Sequence, residues 1–321
     1  WVGGTIFALF LIRAFTSVVN RTLMVSVHTT GGTRARSSRT AYHLMFLPAL
    51  LMLIAVMVPF VQGIYTAMTD RKLYLETESF VGLGNFITLF GQDGFVDALV
   101  RTLAYALAVI VVQVVMGLAV AMLLNADSRL QPILRGTLVL PLLIPPVVAG
   151  LMWKTLMQPQ SGLLNWILAS LGLPESAWLS HVDTALVSVL LVDTWVFTPF
   201  AALILLAGLQ SIPVDQIEAA RVDGASGWLT FRAVQLPWLL PFIILVVLFR
   251  VSDSLKSFEL FYATTRGGPI DATTTLHVLA YEEAFRWSNV GRAMAIVFVL
   301  WLISYVVSMI LTTLWRRKAR V

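Results

Sequence analysis

Residues 99–124 read LVRTLAYALAVIVVQVVMGLAVAMLL, a run of 26 with one charge, Arg101, and one amide, Gln113. An α-helix rises about 1.5 Å per residue, so about 20 apolar residues cross the hydrocarbon layer of a bilayer. The run exceeds that length, and it reads as a transmembrane helix. Runs of the same kind lie at 45–68, 138–156, 185–207, 236–255 and 291–315. The sequence therefore predicts an all-α, polytopic membrane protein with a six-helix core. Pro48 falls in the first turn of its run, where a missing N–H does little harm, while Pro59 is expected to kink it.

Composition agrees. Of 321 residues, 58% are apolar and 12% charged, against about 25% charged in a soluble domain. An ordinary cytosolic protein is excluded, and so is a disordered one, because this much Leu, Val, Ile and Phe outweighs ordering entropy. There is no Cys, which removes disulfides, thiolate metal sites, thiol nucleophiles and covalent haem attachment. The net charge of +5 does not point to nucleic acid, because the basic residues cluster in short loops between apolar runs. Residues 21–44, 125–137, 208–235 and the tail after 315 hold 12 Lys/Arg, whereas the alternate loops hold 7. The positive-inside bias places the first set, and both ends of the core, in the cytoplasm.

The first 40 residues read as an N-terminal extension ahead of a transmembrane domain at 41–321. Their apolar run, 1–20, is interrupted by Arg13, whose burial at mid-membrane costs about 2.5 to 3.5 kcal/mol unless it snorkels. That run is either an extra transmembrane helix or a segment outside the bilayer, and a basic cytoplasmic stretch with Arg34, Arg36 and Arg39 follows it. Trp1 stands where an initiator Met is expected, so the sequence reads as a fragment or a processed product.

The cytoplasmic loop at 211–237 reads SIPVDQIEAARVDGASGWLTFRAVQLP. Ser211 can cap a helix that takes Pro213 in its first turn and carries Asp215 beside the positive dipole end. Val214, Ile217 and Ala220 share one face, and Asp215, Glu218 and Arg221 a neighbouring one. Gly224 can end the helix in a left-handed conformation, and Ser226 can cap a second helix carrying Trp228, Phe231 and Val234. On the residues alone this is a surface helix lying on the membrane, a turn, and a helix running into a span.

At these residues the sequence resembles the EAA loop of binding-protein-dependent ABC importer permeases. Glu218-Ala219-Ala220, then Gly224, then Val234-Gln235-Leu236-Pro237 keep the spacing, with Val where the family usually has Ile. Asp223, Gly224, Ala225, Phe231 and Pro241 fit its sugar-importer subgroup, which includes the first permease subunits of maltose, trehalose and glycerol-3-phosphate importers. The similarity extends over about residues 42–316, through Arg135 to Pro141, Pro145-Pro146, Trp153, Gly162 to Asn165, Trp195 with Pro199-Phe200, and Ser257 to Glu259 leading to Thr265 to Pro269.

The resemblance implies a subunit of an ATP-driven carbohydrate importer in the bacterial plasma membrane. It implies a second permease, two ATP-binding cassette subunits and an extracytoplasmic solute-binding protein as partners. It also implies that Glu218, Ala219, Ala220, Arg221, Asp223, Gly224 and Ala225 form a coupling element that docks on an ATPase. ATP and Mg would sit on those ATPases, with no cofactor on this chain, and substrate would be handed into a cavity between the permeases.

Polar groups inside the spans are the remaining candidates. Asp193 lies in the fourth span, where a carboxylate is expensive and faces a cavity or a partner. Phe197 and Phe200 share its face, and aromatic planes beside a hydrogen-bonding group suit a sugar. The alternatives for Asp193 are a neutral carboxyl or a structural pairing with another helix. Arg250 and Asp253 are three apart and read first as an intrahelical ion pair, ahead of substrate contact. Gln113 with Gly117 reads as interhelical packing, Trp153 as an interface anchor, and Trp195 as a further pathway candidate.

No G-x-x-x-x-G-K-[ST] loop occurs, so the chain itself supplies no nucleotide site. His28, His43, His181 and His277 lack metal-ligand spacing, and Gly267-Gly268-Pro269 is a turn signal. A rival reading is an ion-coupled secondary transporter using Asp193 as a proton or sodium site. A membrane-embedded enzyme is disfavoured, because no acid/base cluster emerges.

Overall fold

The apolar run at 99–124 is the body of a longer helix. The computed structural model describes residues 34–75, 78–126 and 131–318, so the readings on residues 1–20 lie outside the described residues. Helix α1 spans Arg34–Ala67. It begins within the stretch expected to be a basic loop, and Pro48 and Pro59 are therefore both interior to it. The chain divides between Tyr65 and Thr66 into two units, and the features below belong to the second.

That second unit starts with an isolated antiparallel bridge between Thr69 and Phe80 and the short helix α2 (Gly84–Phe90). The long α3 (Asp93–Asn125) follows, then α4 (Gln131–Val139), α5 (Pro146–Leu156), α6 (Leu163–Ser170) and α7 (Val182–Gln210). After α8 (Val214–Val222) comes α9, which covers Gly227–Leu255. The chain closes with α10 (Glu259–Thr264), α11 (Leu276–Tyr281) and α12 (Val290–Lys318). Among the described residues, five helices are long and apolar enough to cross a membrane, and α4 with α5 make a sixth candidate.

That sixth span is not the continuous helix expected over 138–156. It is bent by 96° between Leu143 and Pro146. Two prolines in succession remove two N–H donors and push each preceding residue out of the helical region. Ile144 accordingly sits at φ −84°, ψ 124°, and Pro145 at φ −55°, ψ 138°. Pro146 then opens α5 at a position where the absent donor costs nothing. A milder version of the same chemistry marks α9. Ahead of Pro237, residues Phe231–Gln235 form a π turn in which the Leu236 N–H donates to the Phe231 carbonyl, a widening that accommodates a ring unable to donate.

Helix α7 is the hub. It packs along α3 and against α9, with Ala185, Val189, Val192, Val196, Ala201 and Leu205 fully buried. In lipid no hydrophobic force holds helices together, so close packing and polar contacts must do so. Gly117 supplies the first: a Cβ there would lie 2.7 Å from Ala201 Cβ. Leu107, Val115 and Leu123 of α3 are more than 60% exposed, which in water would be an aggregation hazard and in a bilayer is not.

Candidate functional site

The polar contacts converge on Asp193, which is fully buried on α7. Its Oδ2 accepts from the Tyr105 hydroxyl of α3 at 2.5 Å. Its Oδ1 accepts from Gln113 Nε2 at 2.8 Å and from Arg250 Nη2 at 2.6 Å. Arg250, on α9, also donates from Nε to Gln113 Oε1 at 2.6 Å. Its guanidinium carbon lies 4.1 Å from the centre of the Phe197 ring. Three helices are thus tied at one buried point, and a charge that would be prohibitive alone is balanced on the spot.

This geometry corrects the order of preference for Arg250. Its intrahelical neighbour Asp253 is 3.7 Å from Nη1, whereas Asp193 on another helix is 2.6 Å from Nη2. Asp253 remains 58% exposed, and Nη1 has no hydrogen-bond partner. Both oxygens of Asp193 are occupied, so the structure lends no support to a proton or sodium site there.

Beside Arg250 lies a cavity of about 340 Å³, whose wall includes Phe197, Asp253, Lys256, Ser257 and Glu259. The Lys256 carbonyl also lies 2.9 Å from Nδ1 of His277, and burial pushes that imidazole down from its usual pKa. The structure therefore gathers Gln113, Asp193, Phe197, Arg250 and Asp253 into one neighbourhood. Three candidates lie outside the cavity wall: Gln113 reaches it only through Asp193 and Arg250, Trp195 packs edge-on against Trp153 at 5.6 Å, and Phe200 against Phe249 at 5.7 Å. Sequence reasoning missed Tyr105, whose signal was a hydroxyl two turns before Gln113 in an otherwise apolar run. It also missed Lys256, which caps the end of α9, and Glu259, which opens α10.

The second feature is the turn at 211–237. Here α8 carries Asp215 in its first turn and Arg221 in its last, in keeping with the helix dipole. Gly224 adopts φ +79°. Its N–H donates to the Arg221 carbonyl and the Ala225 N–H to the Ala220 carbonyl, both at 3.0 Å, the paired pattern of a Schellman ending. Ser226 caps the next helix by accepting from the Leu229 N–H. Ser211, in contrast, does not cap α8. It closes α7, donating to the Gly208 carbonyl and accepting from Trp238 Nε1.

Ile217 and Ala220 are half-buried, while Glu218, Ala219, Arg221, Asp223 and Gly224 are exposed. Behind α8 lies a groove of about 1060 Å³, bordered by Ala219, Ala220, Val234, Trp238 and Trp315. Val222 is 87% exposed and Trp228 70% exposed, so apolar side chains project at this end of the bundle.

Residues 113–320, which contain Asp193, Arg250 and the whole of this turn, match the family described as the binding-protein-dependent transport system inner membrane component. The chain belongs to that family. This inner-membrane component is 35% identical over 270 residues to the probable ABC transporter permease protein y4oQ of Sinorhizobium fredii, covering 84% of this chain and 86% of that one. It is 32% identical over 257 residues to the trehalose/maltose transport system permease protein MalF of Thermococcus litoralis, covering 80% and 85%. It is also 32% identical over 282 residues to the trehalose transport system permease protein SugA of Mycobacterium tuberculosis, covering 88% and 90%.

Among solved structures, a bacterial alginate ABC transporter in complex with its alginate pentasaccharide-bound periplasmic protein superposes with a TM-score of 0.75. At 21% identity, over 88% of this chain and 96% of that one, the likeness is one of fold. The inner-membrane component is thus an all-α, multi-pass permease of the ABC importer type.

Proposed function

We propose that this permease carries a carbohydrate inward by alternating access, driven by ATP on partner subunits. A second permease, two ATP-binding cassette subunits and an external solute-binding protein would complete the assembly, and the ATPases would hold ATP and Mg. The observation that carries the reading is the α8 turn. It presents Glu218, Ala219 and Ala220 on a short helix closed rigidly by Gly224, beside exposed apolar groups suited to a protein neighbour. Small residues permit close approach, Glu218 offers a charge to a basic partner, and rigid-body movement of a packed helix is an accepted means of coupling. The named activities of the trehalose and maltose relatives support a saccharide, and the cavity beside Arg250 supports a substrate route along α7 and α9.

Reconstituted with its neighbouring gene products in proteoliposomes, the wild-type permease should take up a saccharide only when ATP is supplied on the α8 side. Glu218→Lys should insert normally yet lose that uptake, and full uptake by this variant would sink the coupling role. Orientation is tested separately, because the chain contains no Cys. A single cysteine replacing Val222 should react with an impermeant maleimide only from the ATPase side, and labelling from the opposite side would reverse the topology.

A further inference from the structure

The buried guanidinium of Arg250 looks at first like a trap for an anion. The charges around it say otherwise. Asp193 holds Nη2 at 2.6 Å and Asp253 approaches Nη1 at 3.7 Å, while Gln113 occupies Nε and Phe197 covers one face. The remaining ionisable groups on the cavity wall are Lys256 and Glu259. Three carboxylates therefore face two cations, and the one deeply buried cation is already countered from two sides.

We propose that this cavity accepts an uncharged polyhydroxylated solute and discriminates against its phosphorylated or uronate counterparts. The inference rests on the permease reading above and narrows its substrate class. An entering phosphate or carboxylate loses its hydration, a penalty of several kcal/mol that only an unshared cation or a dense set of donors offsets. Once Asp193 and Arg250 are paired, it meets the exposed carboxylates of Asp253 and Glu259 against the single exposed cation of Lys256, and an excess of like charge is an effective means of rejection. A neutral sugar meets complementary groups. Its hydroxyls donate to Asp253 and Glu259, and they accept from the unpartnered Nη1 of Arg250 and from Ser257. A volume of about 340 Å³ lies within the range of small-molecule sites, roughly 300 to 1,000 Å³.

The test uses the complete complex of both permeases and the ATPases in lipid nanodiscs. The binding protein is left out, so that its own selectivity is not what is read. Trehalose and trehalose 6-phosphate, one skeleton differing in charge, are titrated calorimetrically. Trehalose should bind, with the phosphate weaker by about tenfold or more.

The variant Asp253→Asn with Glu259→Gln changes only exposed groups, and it should narrow that gap. Equal or tighter binding of the phosphate by the wild type would overturn the charge assignment while leaving a carbohydrate site in place. An unchanged gap in the variant would overturn the role given to the two carboxylates. Binding of neither ligand would remove the carbohydrate cavity itself.

Discussion

Asp193 accepts from three side chains on two other helices, and its substitution separates stabilisation from mere tolerance of charge. Replacing it by Leu leaves Arg250 buried with only the looser contact to Asp253 at 3.7 Å, a change that costs up to about 3 to 5 kcal/mol. Tyr105→Phe removes one hydrogen bond and leaves the ion pair intact, costing about 1 to 3 kcal/mol. The double replacement Asp193→Leu with Arg250→Leu should be more stable than Asp193→Leu alone, because the buried cation is removed with its partner. Thermal unfolding in detergent reads all three, and a double variant less stable than Asp193→Leu would contradict this account. The same residues show how far a sequence carries. Asp193 and Arg250 are conspicuous as charges in apolar runs, but 57 positions separate them. Local spacing favoured Asp253, the neighbour three residues away, because nothing in the linear order reveals which helices meet.

At the scale of elements, the α8 turn was readable and the broken span was not. Gly224, the acidic first turn and the Ser226 cap all act within a few residues, so their chemistry survives in the sequence. A Cβ on Gly224 would meet nothing within 4 Å, which assigns its constraint to the backbone angle alone. Gly224→Asn, which tolerates φ > 0, should therefore retain ATP-driven uptake. Gly224→Val should distort the turn at a cost of about 1 to 2 kcal/mol and lose uptake. Equal transport by the two variants would refute that assignment. Ser211 misled because capping residues also terminate helices, and only the preceding α7 decides which role it takes. The prolines at 145 and 146 were visible, but whether they kink a helix or divide it depends on the neighbours that accept the bend.

At the scale of the molecule, helices whose outward faces are bare Leu, Val and Met cohere through a few small residues and one buried polar knot. That economy bears on biogenesis. Helix α7 leaves the ribosome carrying an acid whose counterion, on α9, has not yet been synthesised. Until Arg250 follows, α7 enters the bilayer with that acid unpaired, which is expensive. A nascent chain truncated after residue 225 should accordingly remain extractable by carbonate more readily than one that includes α9. Asp193→Leu should abolish that difference, and identical extraction of both truncations would dismiss any such waiting step. Membrane integration of this permease would then follow pairing of charges rather than order of synthesis.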